Sequence, residues 1–260
     1  MDILNFSANE YKVFILILIR ISVILFIFPF YGSPVVPGMV KTGLALIISI
    51  ILYPAVSVDP HLFPVQTINF GLLVIAEVLI GMALTYSIQV FFGTVQFAGQ
   101  VIGFQMGFSM INVVDPQSGI SISVLSQIGY LSMLLIFIIL NGHHIILSAV
   151  VDSFRIINMG DIYLKAGLVE QLSIMIAGLF VLGIKIAAPA MGALLFTSAA
   201  FGICAKFVPQ MPVLIVAFPL KIAVGLLMFG TTLQIAAIMT RNFMGTFKAV
   251  LSSILVWMGG

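Results

Sequence analysis

The chain has 260 residues, 62% of them hydrophobic and 7% charged, with a formal net charge of +2. A soluble domain is about 45–50% apolar and about 25% charged, so there is too little polar surface here to coat a water-soluble globule. This excludes a soluble enzyme, a disordered chain and, in the absence of any basic run, a nucleic-acid binder; an integral membrane protein or a subunit buried in an apolar assembly remains.

A spanning helix needs about 20 mostly apolar residues. The first such run is 13–31, with Arg20 inside it. Asp2 and Glu10 make the start acidic, and no small-residue cleavage site follows, so an uncleaved first helix is expected rather than a signal peptide. A shorter run, 43–58, is bracketed by Pro37 and Pro54. The next, 68–92, carries Glu77. Residues 125–140 are nearly all aliphatic and lead through Asn141-Gly142, a helix-breaking step, into 145–151. The last two runs are 172–201, interrupted by Lys185 and Pro189, and 213–240, interrupted by Pro219 and Lys221. Their lengths and lack of alternation predict an all-α membrane protein with about six long helices, the last two kinked or split, and not a β-barrel.

Charges within apolar runs are costly in lipid and face a partner or a cavity. Arg20, Glu77, Lys185 and Lys221 are therefore candidates for helix or subunit pairing, or for an ion relay. A relay needs several titratable groups in series, and Glu77 is the only carboxylate deep in a run. His143 and His144 are adjacent, so on a helix they point about 100° apart and do not chelate. No nucleophile, metal or phosphate-loop motif is present. The lone Cys204 forms no internal disulfide.

The stretch GQVIGFQMGFSMINVVDPQSG at 99–119 is the most informative. Gly99, Gly103 and Gly107 recur every four residues and form one small-residue stripe on a helix, which allows close backbone contact with a neighbour. Phe104, Met106, Phe108 and Met110 interleave with Gln105, Gly107 and Ser109, and Asp115-Pro116 opens a turn. One reading is a tightly packed helix followed by a surface turn. The other is a re-entrant plug, in which Phe and Met fill a pore with a deformable apolar seal. Physics alone leaves these two readings even. Farther on, Lys206, Pro209 and Pro212 mark the rigid tip of a late helical hairpin.

Three segments carry a family resemblance: GFQMGFSMINVVDPQSG at 103–119, NGHHIILSAVVDSF at 141–154 and KFVPQMPVLIVAFPLKIAVGL at 206–226. With them the chain resembles, over essentially its whole length, the FliR family of flagellar biosynthetic proteins. That family is shared, in more divergent form, with the export apparatus of virulence type III secretion systems. The resemblance implies a non-enzymatic, cofactor-free subunit of a protein export gate in the bacterial inner membrane, within the flagellar basal body. It implies assembly with FliP and FliQ, contact with FlhB and FlhA, and passage of unfolded substrates. It further implies a FliP-like part over 1–170, with a plug loop at 103–119 based on Asp115 and Pro116, and a FliQ-like hairpin with its tail over 171–260. Helices in such complexes can sit above the bilayer and be apolar because they touch other subunits. An injectisome subunit of the same family, a secondary transporter using Glu77 with Lys185 or Lys221, and an intramembrane enzyme using His143 or His144 are the competing readings.

Overall fold

In the computed structural model, residues 8–33, 36–56, 67–108, 123–157, 159, 167–208, 210 and 212–259 are described. They form seven α-helices and one 3-10 turn: α1 (Ala8–Ile27), α2 (Gly38–Leu52), the turn Tyr53–Ala55, α3 (Thr67–Met106), α4 (Val124–Ile139), α5 (Gly142–Ile156), α6 (Gly167–Phe207) and α7 (Val213–Gly259). No strand occurs among the described residues.

Three of these helices are far longer than one ordinary span. The run expected to end at Phe92 continues to Met106, making α3 40 residues long. Helices α6 and α7 have 41 and 47 residues and run unbroken through Pro189 and Pro219. A proline inside a helix removes one hydrogen bond from the ladder, a loss that is tolerated in long apolar helices. The extension of α7 beyond Thr240 escapes a search for apolar length because it is amphipathic: Phe247, Leu251, Ile254, Leu255 and Met258 are buried at helical spacing. Where the sequence suggests about six spans, three helices are long and apolar enough to cross a membrane, or four if α4 and α5 make one broken span. The break is at Asn141, the expected position. Its φ of 57° is left-handed, which Asn tolerates because its short side chain bonds locally.

By packing, the chain divides into two compact units, with boundaries inside α3, α6 and α7. The first comprises residues 1–89, 141–175 and 245–260. Its core is a set of helical stripes: Val13, Ile17, Ile21 and Ile24 of α1, Ile80, Leu84 and Ile88 of α3, and Ile146 and Val150 of α5. The second comprises 90–140 and 176–244. Aromatic contacts dominate there: Phe92 packs edge-on against Phe137 at 5.3 Å between centroids, and Phe91 stacks on Phe243 at 4.1 Å. These packing units cut across the expected division into 1–170 and 171–260.

Candidate functional site

Within the first unit, Arg20 and Glu77, two of the four charges singled out in apolar runs, form one ion pair. Both are 0% exposed. Arg20 Nη2 donates to Glu77 Oε1 at 2.9 Å, and Nε donates to Oε2. A third donor, Nη1, reaches the hydroxyl of Ser153 at 3.0 Å, and that hydroxyl donates in turn to the Val150 carbonyl at 2.6 Å. The Phe154 ring lies 4.1 Å from the guanidinium carbon. Thus α1, α3 and α5 meet on one cation. Arg suits this role because its planar fork matches both carboxylate oxygens. The approach of α1 to α3 needs Gly81, where a Cβ would stand 3.0 Å from Val23 Cβ. Arg20 thus holds both Glu77 oxygens.

The second unit contains the glycine stripe. It packs against the start of α4. A Cβ at Gly99 would stand 2.7 Å from Ser126 Cα, and one at Gly103 would collide with the Ser123 hydroxyl. Two hydrogen bonds bind the same contact: Ser126 Oγ donates to the Gln96 carbonyl at 2.8 Å, and the Ser123 N–H donates to Gln100 Oε1 at 3.0 Å. Helix α3 then ends by a glycine cap. Gly107 has φ +92°. Its N–H donates to the Phe104 carbonyl and that of Phe108 to the Gly103 carbonyl, each at 3.1 Å. These two bonds are the Schellman arrangement, which requires a left-handed residue at this position.

Four residues of the expected 103–119 loop are therefore the last turn of α3. This changes where the bulky side chains go. In an extended loop, residues two apart share a face; on a helix they point about 200° apart. Accordingly Phe104 is 68% exposed while Met106 is 0% exposed. Met106 fills a notch at Gly225 of α7, where a Cβ would lie 2.5 Å from its Sδ. Beside it, the Phe218 ring lies 3.0 Å from where a Cβ of Gly107 would stand. Gln105, Gly107 and Phe108 are half-buried. Ser109, Met110, Asp115 and Pro116 lie outside the described residues.

The remaining expected positions do not converge. Lys185 is exposed and Lys221 half-buried, and among the described residues neither has an ion-pair partner. Lys206 is exposed in the last turn of α6. Pro212 is exposed before α7, and its carbonyl accepts the Ile215 N–H at 2.9 Å; Pro209 lies outside the described residues. The rings of His143 and His144 are 4.2 Å apart. Among the described residues no cluster of His, Cys, Asp and Glu could hold a metal ion. Sequence reasoning missed Ser153, Phe154, Gly225 and Phe218. One signal was available: a buried guanidinium has five N–H donors, so a single carboxylate could not satisfy Arg20.

Residues 11–247 match the family described as Bacterial export proteins, family 1. The chain is 30% identical to a flagellar biosynthetic protein FliR of Bacillus subtilis (strain 168), covering 98% of this chain and 99% of that protein. It is 29% identical to the protein of the same name from Escherichia coli (strain K12), over 92% of this chain and 90% of that one. The Aquifex aeolicus (strain VF5) protein of that name is 27% identical, over 93% and 94%.

Proposed function

The chain belongs to the bacterial export proteins, family 1, and from that premise we propose that it is the FliR-type subunit of the flagellar export gate. A membrane-embedded component of the flagellar export apparatus is the coarser statement, and it rests on the family and the apolar helices. The finer reading is a complex of this chain with FliP and FliQ in the bacterial inner membrane, next to FlhB and FlhA, through which unfolded substrates pass. In it, residues 1–170 act as the FliP-like part and 171–260 as the FliQ-like hairpin with its tail.

One observation carries this reading. The helical stretches of α3, α6 and α7 that carry an apolar span are 37, 35 and 44 residues long. At 1.5 Å per residue they measure about 56, 53 and 66 Å. A hydrocarbon core of about 30 Å, crossed at the steepest common tilt of about 40°, covers about 39 Å. Lipid thus leaves a long remainder on each helix. On α6 the chain does not cover it either, since large apolar side chains are exposed all along it, from Ile174 to Phe207. Other protein must, as a multi-subunit helical gate would provide.

In this reading residues 103–119 supply the plug. Phe104, Phe108 and Met110 would exclude water and ions from the closed channel by dewetting. Met106 and Gly107 would anchor the segment on α7, and Asp115-Pro116 would set its base. Co-expression with the FliP and FliQ of the same cell, mild detergent extraction and native mass spectrometry test the assembly. A discrete hetero-oligomer with one copy of this chain is expected; a chain that stays alone, monodisperse and folded refutes it. Deleting residues 104–110 should leave that complex intact and make cells leak small ions. Unchanged conductance would remove the plug from the proposal.

A further inference from the structure

Within the second unit, helix α6 presents two faces. Gly183, Ala187, Ala190 and Leu194, at spacings of four, three and four, are buried. Gly183 meets α3, where a Cβ would stand 2.6 Å from the Phe97 ring. Two residues along a helix turn the side chain by about 200°, so Lys185 faces away from that contact. It shares its outward face with Gly178, Val181, Ala188, Gly192 and Leu195, again at alternating spacings of three and four. Such alternation is the seam of a helix that packs lengthwise on another. No described residue covers this seam. Val181 and Leu195 are 52% and 59% exposed, and Lys185 and Ala188 are exposed between them. A Cβ at Gly178 or Gly192 would meet nothing within 4 Å.

Lys185 is the one charged residue between Ser173 and Ala205. The ion pairs among the described residues join Arg20 to Glu77 and Lys248 to Asp152, which leaves Lys185 without a counter-ion there. Its apolar flanks, 176–184 and 186–205, measure about 14 and 30 Å at about 1.5 Å per residue. A hydrocarbon core of about 30 Å either takes in Lys185 or leaves one of these flanks outside lipid. In the first case the ammonium needs an anion in apolar surroundings. In the second, the flank needs a protein cover, and Lys185 stands at its edge. A phospholipid phosphate would meet the ammonium, but it would not fill the glycine notches one heptad to either side. Those notches suit the close approach of another helix. We propose that this seam docks an apolar helix of another protein subunit, with large side chains seated at Gly178 and Gly192 and a carboxylate between them paired with Lys185. A single polar position in an apolar seam fixes the register of the two helices. The proposal rests on the export-gate reading, which supplies the other subunit.

The test uses the full chain co-expressed with the FliP and FliQ of the same cell. An apolar carbodiimide joins a lysine to a carboxylate in contact with it: an amide forms and the carbodiimide leaves as its urea. Peptide mass spectrometry should find Lys185 joined to an Asp or Glu within an apolar helix of another subunit. Lys185→Glu sets like charges against each other and should lower the yield of assembled complex by about tenfold or more. Exchanging the identified acid for lysine in the same complex should restore the yield, and Lys185→Arg should keep it. Gly192→Leu fills a notch and should lower it as well. These positions face outward, so each isolated variant should keep the helical content and unfolding midpoint of the unsubstituted chain. The cross-link, made on the unsubstituted chain, stands independently of them. A complex that forms equally well with Lys185→Glu overturns the proposal and leaves the export-gate reading intact; an unsubstituted chain that joins neither protein overturns both. Lys185 joined to a second copy of this chain also overturns it. So does an anionic phospholipid that co-purifies with the complex and is lost in Lys185→Glu without loss of assembly, in favour of a lipid phosphate.

Discussion

The two units close their helix contacts by opposite means. In the first, a long cation reaches from α1 to a carboxylate on α3 and a hydroxyl on α5. In the second, side chains are removed until the α3 backbone meets the start of α4 at Gly99 and Gly103. The difference lies in what each contact does when helices slip. A one-turn slip strands both charges of an ion pair in apolar surroundings. A one-turn slip of the glycine stripe brings Val95 or the left-handed Gly107 to the contact, which costs packing and hydrogen bonds but strands no charge. The first unit is therefore pinned by buried charge, while the second is fitted by shape and held by two hydrogen bonds at the same contact. The uncharged contact is the one at the start of residues 103–119, where the plug is proposed.

The largest test attacks the pin. Glu77→Ala leaves a buried, uncompensated guanidinium and should destabilise the chain by about 3–5 kcal/mol, read as a drop in the detergent unfolding midpoint or loss of assembled complex. The double variant Arg20→Met, Glu77→Leu removes both charges and should regain most of that loss. A Glu77→Ala cost below that of the glycine substitutions would reverse the contrast between the units. If the double variant proved no better than the single, packing rather than charge would be the pin.

How far the sequence reveals these contacts follows from their range. The glycine stripe is local, with a period of four inside one helix, so its spacing displays it directly. The Asn141 break is equally local. Arg20 and Glu77 each stand out because a charge in an apolar run is anomalous, yet 57 residues separate them and no periodicity joins them into a pair. Met106 against Gly225 is less legible still. Its direction depends on whether residues 103–106 are helical or extended, and a mixed run of Gly, Phe and Met suits either. Helix length was misjudged for a related reason: the end of α7 is amphipathic, and its pattern emerges from period rather than from total apolarity.

The next two predictions probe the second unit. Gly99→Ala places a Cβ against backbone atoms of α4, which cannot swing aside as a flexible side chain would. A cost of about 1–3 kcal/mol is expected, with proteolytic nicking near residues 109–122 as its local sign. Gly107→Ala acts on conformation first, since a left-handed backbone costs an L-residue about 1–2 kcal/mol. Gly107→Asn should cost less than Gly107→Ala, because Asn tolerates that region. Equal costs for Ala and Asn would mean that the nearby Phe218 ring, not the backbone, demands glycine.

The smallest effect sharpens the contrast from within the first unit. Lys248 and Asp152 form an ion pair at 3.3 Å, with side chains 59% and 25% exposed. The chemistry is that of Arg20 and Glu77 without the burial. Water and salt screen it, and fixing a long lysine side chain costs entropy, so such pairs contribute about 0–1 kcal/mol. Lys248→Ala should shift the unfolding midpoint only slightly, and added salt should erase the difference from the unsubstituted chain. A loss comparable to Glu77→Ala would mean that this pair is shielded in the assembled state. The pin would then extend to the C-terminal end of α7, and the first unit would be held in register at two points instead of one.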